Sequence, residues 1–213
     1  MVWSESLKRT IPEGWNCSPL GQQIKSVRTG LNPRDNFTFG GGIRYLTVKN
    51  LRTDGSLDFS DCDFIDSAAR NLVHARSDIS VGDILFASIA PLGRCYLITC
   101  PPIDWDINES VFSIRANPET TTPEYLYSFL RSPWFVAKAE QQSTGSIFLG
   151  IRVAELQKML VPCPGIRIIN LFSGLVAPML KQIARIQDEI CQTIQMRDWL
   201  LPMLMNGQVE VAG

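Results

Sequence analysis

After Val161-Pro162-Cys163-Pro164 the chain changes its period. Val176, Met179, Ile183, Ile186 and Ile190 recur at spacings of three, four, three and four, and Ile194 continues the same side. That is the heptad-like apolar seam of a long amphipathic helix. Such a seam either pairs with another helix or lies back on its own domain. Pro178 has no place inside a helix, so the helix is expected to kink there or to begin with Pro178 at its first position. Pro202 and Gly207 are expected to stop it. Between 178 and 200 it would span roughly 34 Å at about 1.5 Å per residue. Everything before the double proline reads as one compact, strand-rich domain. A head on a single helical arm holds something at a fixed distance from a partner, which favours recognition over catalysis. The expected organisation is therefore α/β (α+β): a mixed, strand-rich domain over 1–164, a coiled-coil-type helical arm over 165–206, and a tail over 207–213.

Strands dominate the first part. Ile43 to Val48 is β-branched and aromatic, and Thr53-Asp54-Gly55-Ser56 is a turn leading to a short strand from Leu57. Ile84 to Ile89 and Arg94 to Thr99 form a hairpin around Pro91-Leu92-Gly93. Ser110 to Arg115 is a further strand, and Leu20 to Thr29 fits a helix or a strand equally. At Thr122-Pro123 a helix begins, with Thr122 as its cap, Pro123 at its first position, and Tyr125, Leu126, Phe129 and Leu130 on one face. A continuation over Val136 to Glu140, a Gly/Ser/Thr loop over 143–150 and a short helix or turn over 153–159 follow.

No uninterrupted apolar run reaches the roughly 18 residues of a membrane span, so membrane embedding is not expected. Met1 to Leu20 carries Glu5, Lys8, Arg9 and Glu13 without an apolar stretch; no secretory signal is expected, and a cytoplasmic location is the default. The six cysteines include no CxxC pair, and the only histidine is His74. A structural metal is not expected, and the thiols are expected to be buried and free. The net charge of −1 argues mildly against a free-standing nucleic-acid binder. Its distribution says more: residues 1–60 carry eight Lys/Arg against five Asp/Glu, and residues 61–120 carry four against nine. A basic face must draw on the first sixty residues and the region around 131–158, while the acidic block faces away from a phosphate backbone or toward a basic partner.

No catalytic constellation is found. Neither a G-x-x-x-x-G-K-[ST] nor a G-x-G-x-x-G motif occurs, and Gly40-Gly41-Gly42 reads as plain loop. Asp61, Asp63 and Asp66 lack the glycine and glutamate of a calcium loop and read as solvated turn residues. Asp104-Trp105-Asp106 reads as a loop packed on the core, and His74 as an ordinary surface histidine.

The order of several short pieces resembles the specificity subunit of type I restriction-modification systems, in a half-length form with one target recognition domain and one conserved helix. The pieces are Tyr45-Leu46-Thr47-Val48-Lys49-Asn50 with Asp54-Gly55; Val81-Gly82-Asp83 followed by Ile84 to Ile89 and Gly93; and Tyr125 to Ser132. They continue with Ser143-Thr144-Gly145-Ser146, Val161-Pro162-Cys163-Pro164 and the closing Arg197-Asp198-Trp199-Leu200-Leu201-Pro202-Met203-Leu204-Met205-Asn206-Gly207. Gly165 to Asn170 departs from the family, which follows the double proline with an acidic segment and a glutamine.

The resemblance implies a non-catalytic subunit that reads one half of a bipartite target in double-stranded DNA. It also implies partners: methyltransferase (modification) and restriction subunits that use S-adenosylmethionine, ATP and Mg, with no cofactor in this chain. Base reading needs paired donors and acceptors at groove edges, and phosphate contacts need cations or N–H groups. The DNA-face candidates are Lys25, Arg28, Lys49, Asn50, Arg52, Arg94, Ser143, Thr144, Ser146 and Arg152. Among them the 143–152 loop and Lys49, Asn50 and Arg52 rank first, although Asn50 before a turn also suits capping of its own backbone. The seam residues Val176, Met179, Ile183, Ile186, Ile190 and Ile194 are the partner-helix candidates. A full-length subunit carries two heads and two such helices, so a homodimer of this chain would restore that design through a two-fold axis. The alternative is an orphan or truncated adaptor that binds modification subunits without reading DNA; an enzyme with an unrecognised site is the third reading.

Overall fold

A computed structural model describes residues 1–34, 36–142 and 150–207. In chain order the elements are β1 (Val2–Ser4), β2 (Arg9–Ile11), β3 (Asn16–Pro19), α1 (Leu20–Gln23), β4 (Ile24–Thr29), β5 (Ile43–Leu46), a 3-10 turn (Val48–Asn50), β6 (Asp63–Ile65) and α2 (Ser67–Ser77). Then follow β7 (Ile84–Ala87), β8 (Cys95–Leu97), β9 (Trp105–Ile107), β10 (Val111–Ala116), α3 (Pro123–Leu130), α4 (Pro133–Gln142), α5 (Val153–Lys158), β11 (Leu160–Cys163) and α6 (Ile166–Met205). The chain forms two compact units, Met1–Leu175 and Val176 onward.

The first unit is built on an antiparallel sheet of order β4-β10-β7-β8 and a three-stranded sheet of order β6-β5-β9, with β5 and β9 parallel. β7 lies inside the larger sheet and is buried at all four positions. Its two faces have different neighbours. Leu85 and Ala87 join Leu46, Val48, Ile98, Trp105, Ile107 and Val111 in a core that links both sheets. Phe86 turns the other way, its ring 6.3 Å from that of Phe135 in α4, which in turn meets Phe129 of α3. A separate apolar cluster of Tyr45, Ile65, Ala69 and Val73 holds α2 on the smaller sheet. The two sheets approach closely where β4 ends: a Cβ at Gly30 would lie 1.6 Å from the Ile107 carbonyl oxygen, so only glycine fits.

Several local expectations hold. Thr122 caps α3 through the Tyr125 N–H with Pro123 at the helix start, and β7 pairs antiparallel with β8. Leu20–Thr29 divides into α1 and then β4. Others are corrected. Asp104-Trp105-Asp106 is not a loop: Trp105–Ile107 is β9, and Asp106 is fully buried. No strand begins at Leu57, which makes only an isolated bridge to Leu51. His74 is more than a solvated ring: its Nδ1 lies 3.0 Å from Asp106 Oδ2, while Ser77 Oγ donates to Asp106 Oδ1 at 2.6 Å. Burial raises the Asp106 carboxyl above its ordinary range, against the hydrogen bonds from Ser77, Ile107 N–H and His74. Asp66 is the cap of α2, accepting from Ala69 N–H, rather than a plain turn residue.

The six cysteines are free, but not all are buried, since Cys100 is exposed. Burial pushes the Cys95 thiol up to about 12 and the Cys62 thiol up to about 11. The thiolate is the reactive form, so alkylation of the native protein at neutral pH should modify Cys100 ahead of both, and Cys95 only after denaturation. Peptide mass spectrometry over time reads this order; native labelling of Cys95 at the pace of Cys100 would contradict the buried core.

The helix α6 runs without interruption through both Pro178 and Pro202. It neither starts at Pro178 nor stops at Pro202. A proline ring clashes with the carbonyl four residues earlier; for Pro178 that residue is Gly174, which has no side chain and is exposed, so the backbone can give and its carbonyl can take water. Before Val176, α6 packs within the first unit: Ile169 is buried, Phe172 stands edge-on to Tyr125 at 5.8 Å, and Ser173 hydrogen-bonds Thr122. From Val176 to Met205 the helix is about 45 Å long at about 1.5 Å per residue.

On that second unit Met179, Ile183, Ile186, Ile190 and Ile194 are all exposed. Lys181, Arg185, Asp188 and Glu189 lie off the seam, with an Arg185–Glu189 ion pair of 2.9 Å. An 18-residue window of α6 reaches mean hydropathy 1.2, so by length and composition alone the helix could cross a membrane. Polar and charged residues such as Asn170, Ser173, Lys181 and Arg185 interrupt its apolar residues, so it holds no uninterrupted apolar run of that length. One apolar stripe opposed by charges is, however, the layout of a helix that pairs in water.

Candidate nucleic-acid interface

The turn after β5 is built by Asn50. Its Oδ1 accepts the Thr47 N–H at 2.8 Å, and its Nδ2 donates to the carbonyls of Asp58 and Asp61 at 2.9 and 3.0 Å. The side chain is 2% exposed and its amide is fully engaged. Asn50 therefore shapes the turn and keeps no free group for a base edge. Gly55, at φ +90°, lets the same loop close against the Tyr127 hydroxyl and the Arg131 guanidinium, which holds the Thr53 carbonyl at 2.9 Å.

That rigid turn presents Lys49 and Arg52 at the surface. Lys49 Nζ pairs with Asp61 at 3.1 Å and Arg52 with Asp58 at 3.3 Å. The hydrogen bond that Lys49 donates to Asp61 holds its ammonium above its ordinary range. Asp58, bonded by the Ser60 hydroxyl and N–H, is held below the usual carboxylate range. Arg94, just before β8, donates from Nη1 to the Leu51 carbonyl at 3.3 Å, which ties it to the same corner. Lys49 and Arg94 line one cavity of about 350 Å³, whose wall includes Ile89 and Pro91. Gly150 pairs with Ile89, and Ile151 N–H donates to the Ser88 carbonyl at 2.8 Å. The exposed Arg152 follows directly as the residue before α5.

Lys49, Arg52, Arg94 and the 150–152 segment thus meet at the Ala87 end of the larger sheet. Lys25 and Arg28 do not join them. They lie on β4, the opposite edge strand, and Ser26 between them is level with Arg115 rather than with Val111. Arg28 is also paired with Asp78 at 3.4 Å. Ser143, Thr144 and Ser146 lie outside the described residues. Sequence reasoning missed Asn108 and Ser110, which line the cavity beside the cations; they stand in the short connection between β9 and β10, where no motif marks them. Among the described residues no group of three His, Cys, Asp or Glu side chains is placed to hold a metal ion.

No family model matches the chain. Among known proteins it is similar to the type I restriction enzyme MjaIX specificity subunit of Methanocaldococcus jannaschii, 24% identical over 218 residues, covering 99% of this chain and 48% of that protein. Among solved structures it resembles the HsdS subunit from Thermoanaerobacter tengcongensis, with TM-score 0.57 and 18% identity over 90% of this chain and 48% of the other. It also resembles the S subunit of a type I restriction-modification system from M. genitalium, with TM-score 0.59 and 12% identity over 92% and 47%. The chain spans about half the length of each relative.

Proposed function

We propose, on the premise that this chain has the fold of one half of a type I restriction specificity subunit, that it is a DNA sequence-recognition subunit. Its first unit reads one half of a bipartite target in double-stranded DNA. The α6 seam pairs with a second copy, so that two identical heads meet two inverted half-sites, and the paired helices scaffold methyltransferase and restriction subunits. Those partners supply the chemistry with S-adenosylmethionine, ATP and Mg; no reaction step is assigned to this chain.

The observation that carries the reading is the exposed Met179–Ile194 seam on a half-length version of the fold. A helix with that stripe is completed by a partner, and on this reading the partner is a second copy across a two-fold axis. The corner of Lys49, Arg52, Arg94 and Arg152 supports the DNA contact, because phosphate binding draws on clustered cations. The net charge of −1 predicts weak binding by the chain alone and tight binding in complex. A mobility-shift assay with random duplex, run alone and with the modification subunit, tests this. Association with the modification subunit but no shift in either case would favour the adaptor reading instead.

A further inference from the structure

We propose that the cavity between the 3-10 turn and the exit of β7 seats one sugar–phosphate unit of duplex DNA, so that this corner fixes register on the backbone rather than reading bases. The inference rests on the DNA-recognition reading above and assigns the chemical group that the cavity takes.

The polar lining is biased toward donors. Lys49 and Arg94 contribute cations, and among the described residues no carboxylate lines the cavity. Arg94 is oriented by its bond to the Leu51 carbonyl. Asn108 Oδ1 accepts the Ser110 N–H at 3.0 Å, which turns the amide's donor end outward. The Thr47 hydroxyl is spent on Asn50 Oδ1 at 3.2 Å. Base edges in the major groove call for matched donors and acceptors; a phosphate calls for donors and positive charge alone. The remaining wall, Ile89, Ala90 and Pro91, is apolar and offers a surface for the adjoining deoxyribose. The Lys49–Asp61 pair is exposed on both sides, so Lys49 is held near the cavity mouth by a weak contact that it can exchange for a phosphate.

The test is a salt titration of binding to short fluorescent duplexes, one random and one carrying the target. It is run on the chain alone at low salt and on its assembly with modification subunits. Lys49→Gln should reduce the slope of log affinity against log salt by about 0.9, and affinity about eightfold at about 0.1 M salt, on both duplexes equally. Arg94→Gln should do the same, and the exposed Lys49 keeps the test valid if the Arg94 variant fails to fold. Lys25→Gln carries the same charge change at the opposite edge and end of the sheet and should alter neither quantity by as much as half of that. An unchanged slope for Lys49→Gln in an assembly that binds DNA overturns the seat and leaves the DNA-recognition reading intact. A loss confined to the target duplex overturns it in favour of base reading. An unsubstituted assembly that binds neither duplex sinks the recognition reading itself, and the seat with it.

Discussion

Replacing Ile186 and Ile190 together with glutamate is expected to convert a dimer into a monomer while leaving the first unit folded. Both side chains stand at the middle of the seam and are exposed in the single chain, at 46% and 53%. Glutamate is a good helix former, so the substitution leaves α6 intact and changes only what its stripe can cover. In a two-fold pair the double substitution removes four apolar side chains from the buried face, each worth about 1.5 kcal/mol or more. Association should weaken by about four orders of magnitude. Light scattering at micromolar concentration reads the mass directly, and circular dichroism with a thermal melt verifies the fold. An unsubstituted chain that is already a strict monomer, with or without DNA, would remove the two-fold design. A dimer that survives the substitution would place the contact elsewhere.

Asp83→Ala is expected to be the most damaging single substitution in the first unit. Asp83 is 1% exposed, and its carboxylate accepts five hydrogen bonds from three residues: Ser80 N–H at 3.0 Å and Oγ at 3.3 Å, Ser113 Oγ at 3.3 Å, and Arg115 Nε at 2.7 Å and Nη2 at 2.8 Å. Arg115 also reaches Asp78 Oδ2 at 3.2 Å and the Asp78 carbonyl at 2.7 Å, at the end of α2. One carboxylate therefore joins the start of β7, the middle of β10 and the end of α2. The hydrogen bonds that Arg115 donates to it hold that guanidinium above its ordinary range. Removing one partner of such a pair strands the other, at a cost of about 3–5 kcal/mol. For a domain of this size that corresponds to a melting temperature lower by about 10 °C. Asp83→Asn preserves the shape and some of the acceptors and should lose less. A loss below about 1 kcal/mol for Asp83→Ala, measured by urea unfolding, would show that the network is incidental to the fold.

These two residue sets show what was legible before the structure. The seam on α6 and the start of α3 follow from local rules: a heptad spacing, and a threonine-proline pair before an apolar face. The hairpin of β7 and β8 was legible for the same reason, through its Pro91-Leu92-Gly93 turn. β9 was not. It is three residues long, too short for a period, and it exists because β5, some sixty residues earlier, runs beside it. The continuity of α6 was hidden by its prolines, because tolerance of Pro178 depends on the bare, exposed Gly174 one turn before.

The site was legible by composition and not by place. Lys49, Arg52, Arg94 and Arg152 were all named, yet nothing local distinguishes them from Lys25 and Arg28; only strand order sends the latter to the far edge. Asn50 has the side chain of a base reader, but two carbonyls eight and eleven residues later engage its amide. Several pieces that carry the family resemblance are scaffold. Asp83 of Val81-Gly82-Asp83 is the ionic hub, and Val161-Pro162-Cys163 forms the strand that pairs with β3. Residues that hold the proposed DNA-facing corner in place need not touch DNA.

Mapping methylated bases across the genome of a host with and without this gene addresses the whole account at once. Deleting the gene should erase a single interrupted motif whose two specified halves are inverted copies of each other, because two identical heads would read them through a two-fold axis. A methylation pattern unchanged by the deletion would contradict the assignment of DNA recognition to this chain.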